Sequence, residues 1–183
     1  EIQSGTRGTA SRTVAYLIDQ LLLVEERIPD DIYLQLPQLV IHGDFHPANI
    51  IFGYDGKIYF TDFDWASMQA KAVDIADGIV FFAARRASPI NGGDIVSLTQ
   101  PFEMDIPRSR TFLNAYREIH KVNDNEIEAL PWLIRSRWIQ CRAKGSRKVP
   151  EGKRLQYLVE GAEEPLRWLD KWGDKLVKSL KEL

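Results

Sequence analysis

The sequence predicts a mainly helical α+β domain carrying one small β-hairpin. Three observations lead there. Apolar residues recur at helical spacing in several stretches. Asp55-Gly56 lies between two short apolar runs, a strong hairpin signal. Beyond those runs, only Leu39-Val40-Ile41 reads as a strand, and the chain has no internal repeat or low-complexity linker.

The first helix is expected over residues 9–26, with Val14, Leu17, Ile18, Leu21 and Leu22 on one face. Pro29-Asp30-Asp31 should end it, and residues 32–37 read at most as a short helical turn. Leu39-Val40-Ile41 is apolar enough for a buried strand. Residues 48–52 and 57–60 form the hairpin, and 62–71 a loop. The remainder is helical. Segments are expected over 74–86, 107–121, 124 to about 144, 151–160 and 165 to the end. Asp124 is a candidate cap, Pro131 should kink or restart its helix, and Pro165 suits a first turn. Trp168, Leu169, Trp172, Leu176 and Leu180 make the last apolar stripe.

With 183 residues the chain is the size of one domain. Its 44% hydrophobic and 27% charged residues are those of a globular protein. No apolar run reaches the length of a bilayer span; Leu21 to Val24 is stopped by Glu25 and Glu26. A net charge of −2 gives no electrostatic footprint for nucleic acid. The single cysteine, Cys141, excludes an internal disulfide and reads as a small buried hydrophobe. These features point to a cytoplasmic, soluble domain with neither nucleic-acid nor membrane partners.

The chemistry concentrates between Val40 and Ala66. Two polar clusters flank the hairpin: His42, Asp44, His46 and Asn49 before it, Asp62 and Asp64 after it. A hairpin brings its ends together, so Asn49 and Asp62 should be neighbours. Asp44 lies in the loop that feeds the first strand. Such hard oxygen donors suit Mg²⁺, which binds through one or two carboxylates plus phosphates and water. An Asp beside that metal can take a proton from a hydroxyl. Together these are the parts of a phosphoryl-transfer site.

His-x-Asp-x-x-x-x-Asn, a hairpin and then Asp-Phe resembles the catalytic and metal loops of the protein-kinase fold. The fuller string His42-Gly43-Asp44-Phe45-His46-Pro47-Ala48-Asn49 resembles the aminoglycoside phosphotransferase and choline kinase-like family of small-molecule kinases. Asp74-Ile75-Ala76 stands where that family opens a helix with Asp-Leu-Ala. The resemblance implies an ATP- and Mg²⁺-dependent phosphotransferase acting on a small-molecule hydroxyl. It implies Asp44 as catalytic base, Asn49 and Asp62 as ligands of the Mg-nucleotide, and His42 and Asp74 as braces. Asp64 and His46 are further candidates.

The chain departs from the family's pattern in one respect. The family's nucleotide site is shared with an N-terminal β-lobe whose lysine holds the phosphates. Here the residues before Val40 read as helix, and Gly5-Thr6-Arg7-Gly8 has no strand before it. The chain opens at Glu1 without an initiator Met. All of 1–183 is therefore expected to be a kinase-like C-terminal lobe, with loops at 40–66 and a helical body at 74–183. Its N-terminal lobe would be supplied elsewhere, and the lobe alone would be inactive.

Two other readings stand beside this one. A metal-dependent hydrolase would use His42, Asp44, His46, Asp62 and Asp64, although such centres commonly recruit more histidines. A non-catalytic small-molecule-binding domain would keep the cleft alone. Arg135, Arg137 and Arg142 read as a solvated face that an anionic substrate could use. Trp132, Trp138, Trp168 and Trp172 lie at packing positions, and His120 suits the end of its helix. The tail from Lys178 to Leu183 is not the acidic one that polycationic aminoglycosides favour, and the acceptor is not readable.

Overall fold

The structure, a computed structural model, describes residues 2–182, with side chains from residue 8 onward. Glu1 and Leu183, named above at the two ends of the chain, lie outside the described residues. Eight α-helices among them dominate: α1 (Ile2–Arg27), α2 (Asp30–Gln35), α3 (Ala72–Gly78), α4 (Ile95–Leu98), α5 (Ile106–Arg117), α6 (Asp124–Gly145), α7 (Arg154–Val159) and α8 (Glu164–Lys181). Six short strands pair as three separate antiparallel ribbons. They are β1 (Gln38–Ile41) with β4 (Ser67–Ala70), β2 (Ile50–Phe52) with β3 (Ile58–Phe60), and β5 (Ala84–Arg86) with β6 (Phe102–Met104). The domain is therefore mostly helical with small antiparallel sheets, consistent with the α+β class its sequence predicts but with two ribbons beyond the expected hairpin.

Helix α6 is the centre of the fold. Ile127, Leu130, Leu133, Ile134 and Trp138 face the core, which α3 supplies with Ile75 and Ala76 and α8 with Leu166, Leu169, Leu176 and Leu180. Asn123, not Asp124, caps α6. Its side chain accepts from the Glu126 N–H, while the Glu126 carboxylate accepts from the Asn123 N–H, a reciprocal box that satisfies two orphan donors. The helix also runs through Pro131 without restarting. The Pro131 ring lies where α8 presents Gly173. Packing at that crossing offsets the ~3 kcal/mol that an interior proline costs.

Several expectations are corrected. Helix α1 is longer than its apolar stripe and includes Gly5 to Gly8. It buries Ala10, Thr13, Leu17 and Gln20, and leaves Ile18, Leu21 and Leu22 exposed. Polar partners turn the helix. The Thr13 hydroxyl donates to Glu163 at 2.6 Å, and Arg135 donates to the Gln20 side-chain oxygen. The loop expected over 62–71 contains β4, which pairs with β1 in the register Val40↔Met68. Of the apolar run in β1 only Ile41 is buried. The helix expected to reach residue 86 ends in a π turn at Ile79–Ala83 and becomes β5.

The arginines expected on a solvated face are largely buried. Arg135 pairs with Asp170 at 2.7 Å. Arg142 donates to the backbone carbonyls of Thr99, Tyr157 and Glu160 and ties α7 to α6.

Lys71 enters the core just before α3. Its ammonium lies 2.5 Å from Glu126 and donates to the Lys121 carbonyl at 2.7 Å. Both side chains are buried, so removing one leaves an uncompensated charge. Lys71→Met is expected to lower stability by about 3–5 kcal/mol in urea unfolding. An unchanged midpoint would mean that the pair is not needed.

Candidate active site

The stretch between β1 and β2 is a loop closed by a short 3₁₀ turn at Pro47–Asn49. Gly43 makes its first bend at φ +77. A Cβ there would lie 2.5 Å from the Trp65 carbonyl oxygen. Glycine is thus required both by conformation and by the close approach of the loop that follows β3.

Four anchors hold this loop. The Asp74 carboxylate, on α3, accepts from the His42 N–H at 2.7 Å and from the Gly43 N–H at 3.0 Å. The His42 Nε2–H donates to the Thr61 carbonyl at 2.9 Å, and Nδ1 faces the Asp44 N–H at 3.4 Å. Both imidazole nitrogens are thereby engaged, which leaves His42 no lone pair for a metal. Arg137, on α6, donates to the Gly43 carbonyl at 2.9 Å and grips Asp77 at 2.6 and 2.9 Å. Asn49 donates Nδ2 to the Asp44 carbonyl at 2.9 Å and reaches the Asp44 carboxylate at 3.4 Å.

The hairpin register brings the two polar clusters to one end. Ile50 pairs with Phe60, and the Thr61 N–H donates to the Asn49 carbonyl at 3.0 Å. Asn49 and Thr61 therefore face each other, with Asp62 the next residue out. Asp62 has φ 63 and is the one non-glycine with positive φ among the described residues. That conformation is uncommon outside glycine, although Asp tolerates it better than most, and such outliers concentrate at working sites. Asp64 is exposed on the same loop.

Asp44 and His46 face each other, with Nε2 3.3 Å from the carboxylate. Burial raises the Asp44 pKa. The hydrogen bond and charge of His46, the Arg137 charge and the Asn49 amide outweigh it and leave the carboxyl below its usual range. Asp44 is therefore charged at neutral pH and able to accept a proton. Asp77 goes the other way. Burial pushes it up to about 6, Arg137 opposes the shift, and the charges of Asp74 and Asp44 add to it.

The donor set favours one kind of ion. Because Asn49 uses Nδ2 on Asp44, its Oδ1 is left as an acceptor, and the Asp62 carboxylate is exposed. Among the described residues no group of three or more His, Cys, Asp or Glu side chains could hold a metal ion by itself. One carboxylate and one amide oxygen fit Mg²⁺ completed by phosphates and water.

Two roles escaped the sequence. Asp77 carries a readable signal, since it lies three positions after Asp74 on the same turn of α3. Arg137 carries none, because its partners are 60 and 94 residues away.

A fold and a loop of this kind define a class of protein, and comparison with known proteins agrees. The phosphotransferase enzyme family matches residues 5–104, more than half of the chain, and the chain belongs to that family. It is 28% identical over 120 residues to the homoserine kinase of Bradyrhizobium sp. (strain ORS 278), a match covering 64% of this chain and 33% of that kinase. It is 27% identical over 135 residues to the homoserine kinase of Rhizobium meliloti (strain 1021), covering 74% and 34%. The chain thus spans about a third of the length of the curated relatives it matches. No solved structure matches it significantly. Among the described residues no helix is long and apolar enough to cross a membrane.

Proposed function

We propose that this chain is the catalytic, protein-kinase-like C-terminal lobe of an ATP- and Mg²⁺-dependent phosphotransferase whose acceptor is a small-molecule hydroxyl. The observation that carries the reading is the hairpin register, with Asn49 opposite Thr61 and tied to Asp44 by its amide. Asp44 takes the proton of the acceptor hydroxyl. The acceptor oxygen bonds to the γ-phosphorus as the bond to ADP breaks, and the proton leaves Asp44 for solvent after the phosphorylated product departs. Asn49 and Asp62 hold the Mg²⁺ of the nucleotide. When bound, that ion neutralises the charge that develops on the phosphates. His42, Asp74 and Arg137 keep the loop in place, so that little reorganisation is needed at the moment of transfer. The names of the related homoserine kinases support an acceptor of metabolite size. Dependence on ATP and the single free thiol suit a cytoplasmic enzyme.

The lobe works with a partner lobe that clamps the nucleotide. The outer surface of the hairpin and its neighbours supports this. Phe52, Ile58 and Phe60 share one face of the hairpin and are exposed, Phe52 at 77%. Exposed apolar side chains grouped on one face suit an interaction surface. Positioning supplies ~7–11 kcal/mol of a barrier, so the isolated lobe has no measurable turnover.

The test is transfer of labelled γ-phosphate by the full-length protein across a panel of aminoglycosides, amino alcohols, hydroxy amino acids and sugars. One or more acceptors are expected to be phosphorylated, and EDTA should stop the reaction. Failure with every acceptor, or transfer indifferent to EDTA, would refute the reading.

A pH profile gives a second check. Above about 6 Asp77 is charged and holds Arg137 against the Gly43 carbonyl. As the pH falls through that value Asp77 takes a proton and the clamp loosens. Turnover is expected to decline there, although Asp44 stays charged. Asp77→Asn should be slower throughout and lack this limb. An acid limb retained at the same pH in the variant assigns the titration elsewhere.

A further inference from the structure

We infer that the acceptor bound beside Asp44 is a compact hydroxylated molecule bearing an anionic group, held by Lys144 and Lys148. The inference rests on the phosphotransferase reading and narrows it by charge and size. A cavity of about 130 Å³ opens next to Asp44, between the catalytic loop, the loop after β3 and the end of α6. Asp44 is the one carboxylate in its wall, and that group is committed to the hydroxyl proton. Three cations line the same wall. Arg137 is already satisfied by Asp77 and by the Gly43 carbonyl. Lys144 and Lys148 pair with no carboxylate among the described residues.

The position of Lys144 is set from outside its helix. Its ammonium lies 3.9 Å from the centroid of the Trp65 ring. Trp65 belongs to the loop that carries Asp62 and Asp64, so the cation is drawn over the cavity by the same segment that completes the site. A helix C-terminus welcomes lysines whatever the ligand. That preference does not account for an indole from another loop beneath the charge, nor for the lack of a second acid in the wall.

The chemistry this excludes is specific. A polycationic acceptor would meet two unpaired ammonium groups and a single carboxylate. The volume suits a small acceptor better than a multi-ring one, since sites for drug-sized ligands run to roughly 300–1,000 Å³. A small carboxylate or phosphate ester with a free hydroxyl matches both the charge and the volume. Lysine binds either anion as a point charge.

The test uses the full-length protein, labelled ATP and acceptors matched in size. Glycerate carries a carboxylate, glycerol 3-phosphate a phosphate, L-homoserine a carboxylate balanced by an ammonium, 1,4-butanediol no charge, and ethanolamine a cation. Anionic acceptors are expected to exceed the neutral and cationic ones by about 10- to 100-fold in kcat/KM, the worth of a charge-assisted contact. The carboxylate and phosphate arms show which anion is preferred. Lys144→Gln and Lys148→Gln should raise KM for the anionic acceptor more than they lower kcat, and Lys144→Glu should shift preference toward ethanolamine. Preference for a neutral or cationic acceptor, or a selectivity indifferent to Lys144→Glu, overturns the inference while the phosphotransferase reading stands. Transfer to no acceptor of any charge overturns that reading, and this inference with it.

Discussion

Asp44→Asn in the full-length enzyme is expected to lower kcat by ~10²–10⁴-fold, the usual worth of a positioned general base. Nucleotide affinity should change little. The substitution keeps the size of the side chain, and the main anchors of the loop do not involve its carboxylate. Asn49 holds the Asp44 backbone carbonyl, Asp74 holds the His42 and Gly43 N–H groups, and Arg137 holds the Gly43 carbonyl. What is lost is the charged acceptor itself, kept ionised against its burial by His46, Arg137 and Asn49. Single-turnover transfer slowed by that factor, with nucleotide binding unchanged, would be the matching result. A variant that keeps most of its turnover would remove Asp44 from the chemistry.

Asp62→Ala should have the second large effect, a loss of Mg²⁺-dependent nucleotide binding greater than ~100-fold. Changes even to the outer shell of a metal site cost 10–100-fold in affinity, and Asp62 is proposed to touch the ion directly. The site has little to replace it with, because Asn49 offers a neutral oxygen. Backbone strain could blur the outcome, since alanine tolerates φ 63 less well than aspartate. Asp62→Asn separates the two effects, for asparagine accepts that conformation and removes only the charge. A normal Mg²⁺ titration in Asp62→Asn would mean that the ion is held elsewhere.

How much of this was legible in the sequence depended on how local the cause was. The hairpin was readable because Asp55-Gly56 and its flanking apolar runs encode the turn themselves. The expectation that Asn49 and Asp62 are neighbours came from it; β2–β3 pairing sets Asn49 opposite Thr61, with Asp62 the next residue. Strand β4 was not readable. Its residues, Ser67-Met68-Gln69-Ala70, have little β-preference, and it exists because β1 is there to pair with. The pairing of β5 with β6 is non-local in the same way. The face of α1 was misjudged because Thr13 and Gln20 find polar partners on other helices, which apolar periodicity does not count. The buried arginines were missed for a related reason. Each is paid back by carbonyls or carboxylates brought from distant segments.

Asn49 and Asp62 are proposed to share one divalent cation with the nucleotide, a short reach from Asp44. Paramagnetic broadening tests it most directly. Mn²⁺ is added to the full-length protein, labelled at Asn and Asp, with a non-hydrolysable ATP analogue present. Asn49 and Asp62 are expected to lose their signals first, Asp44 to follow, and Asp105 and Asp170, outside the catalytic loops, to stay sharp. Broadening centred away from Asn49 and Asp62, or equally strong in Asp62→Asn, would contradict it.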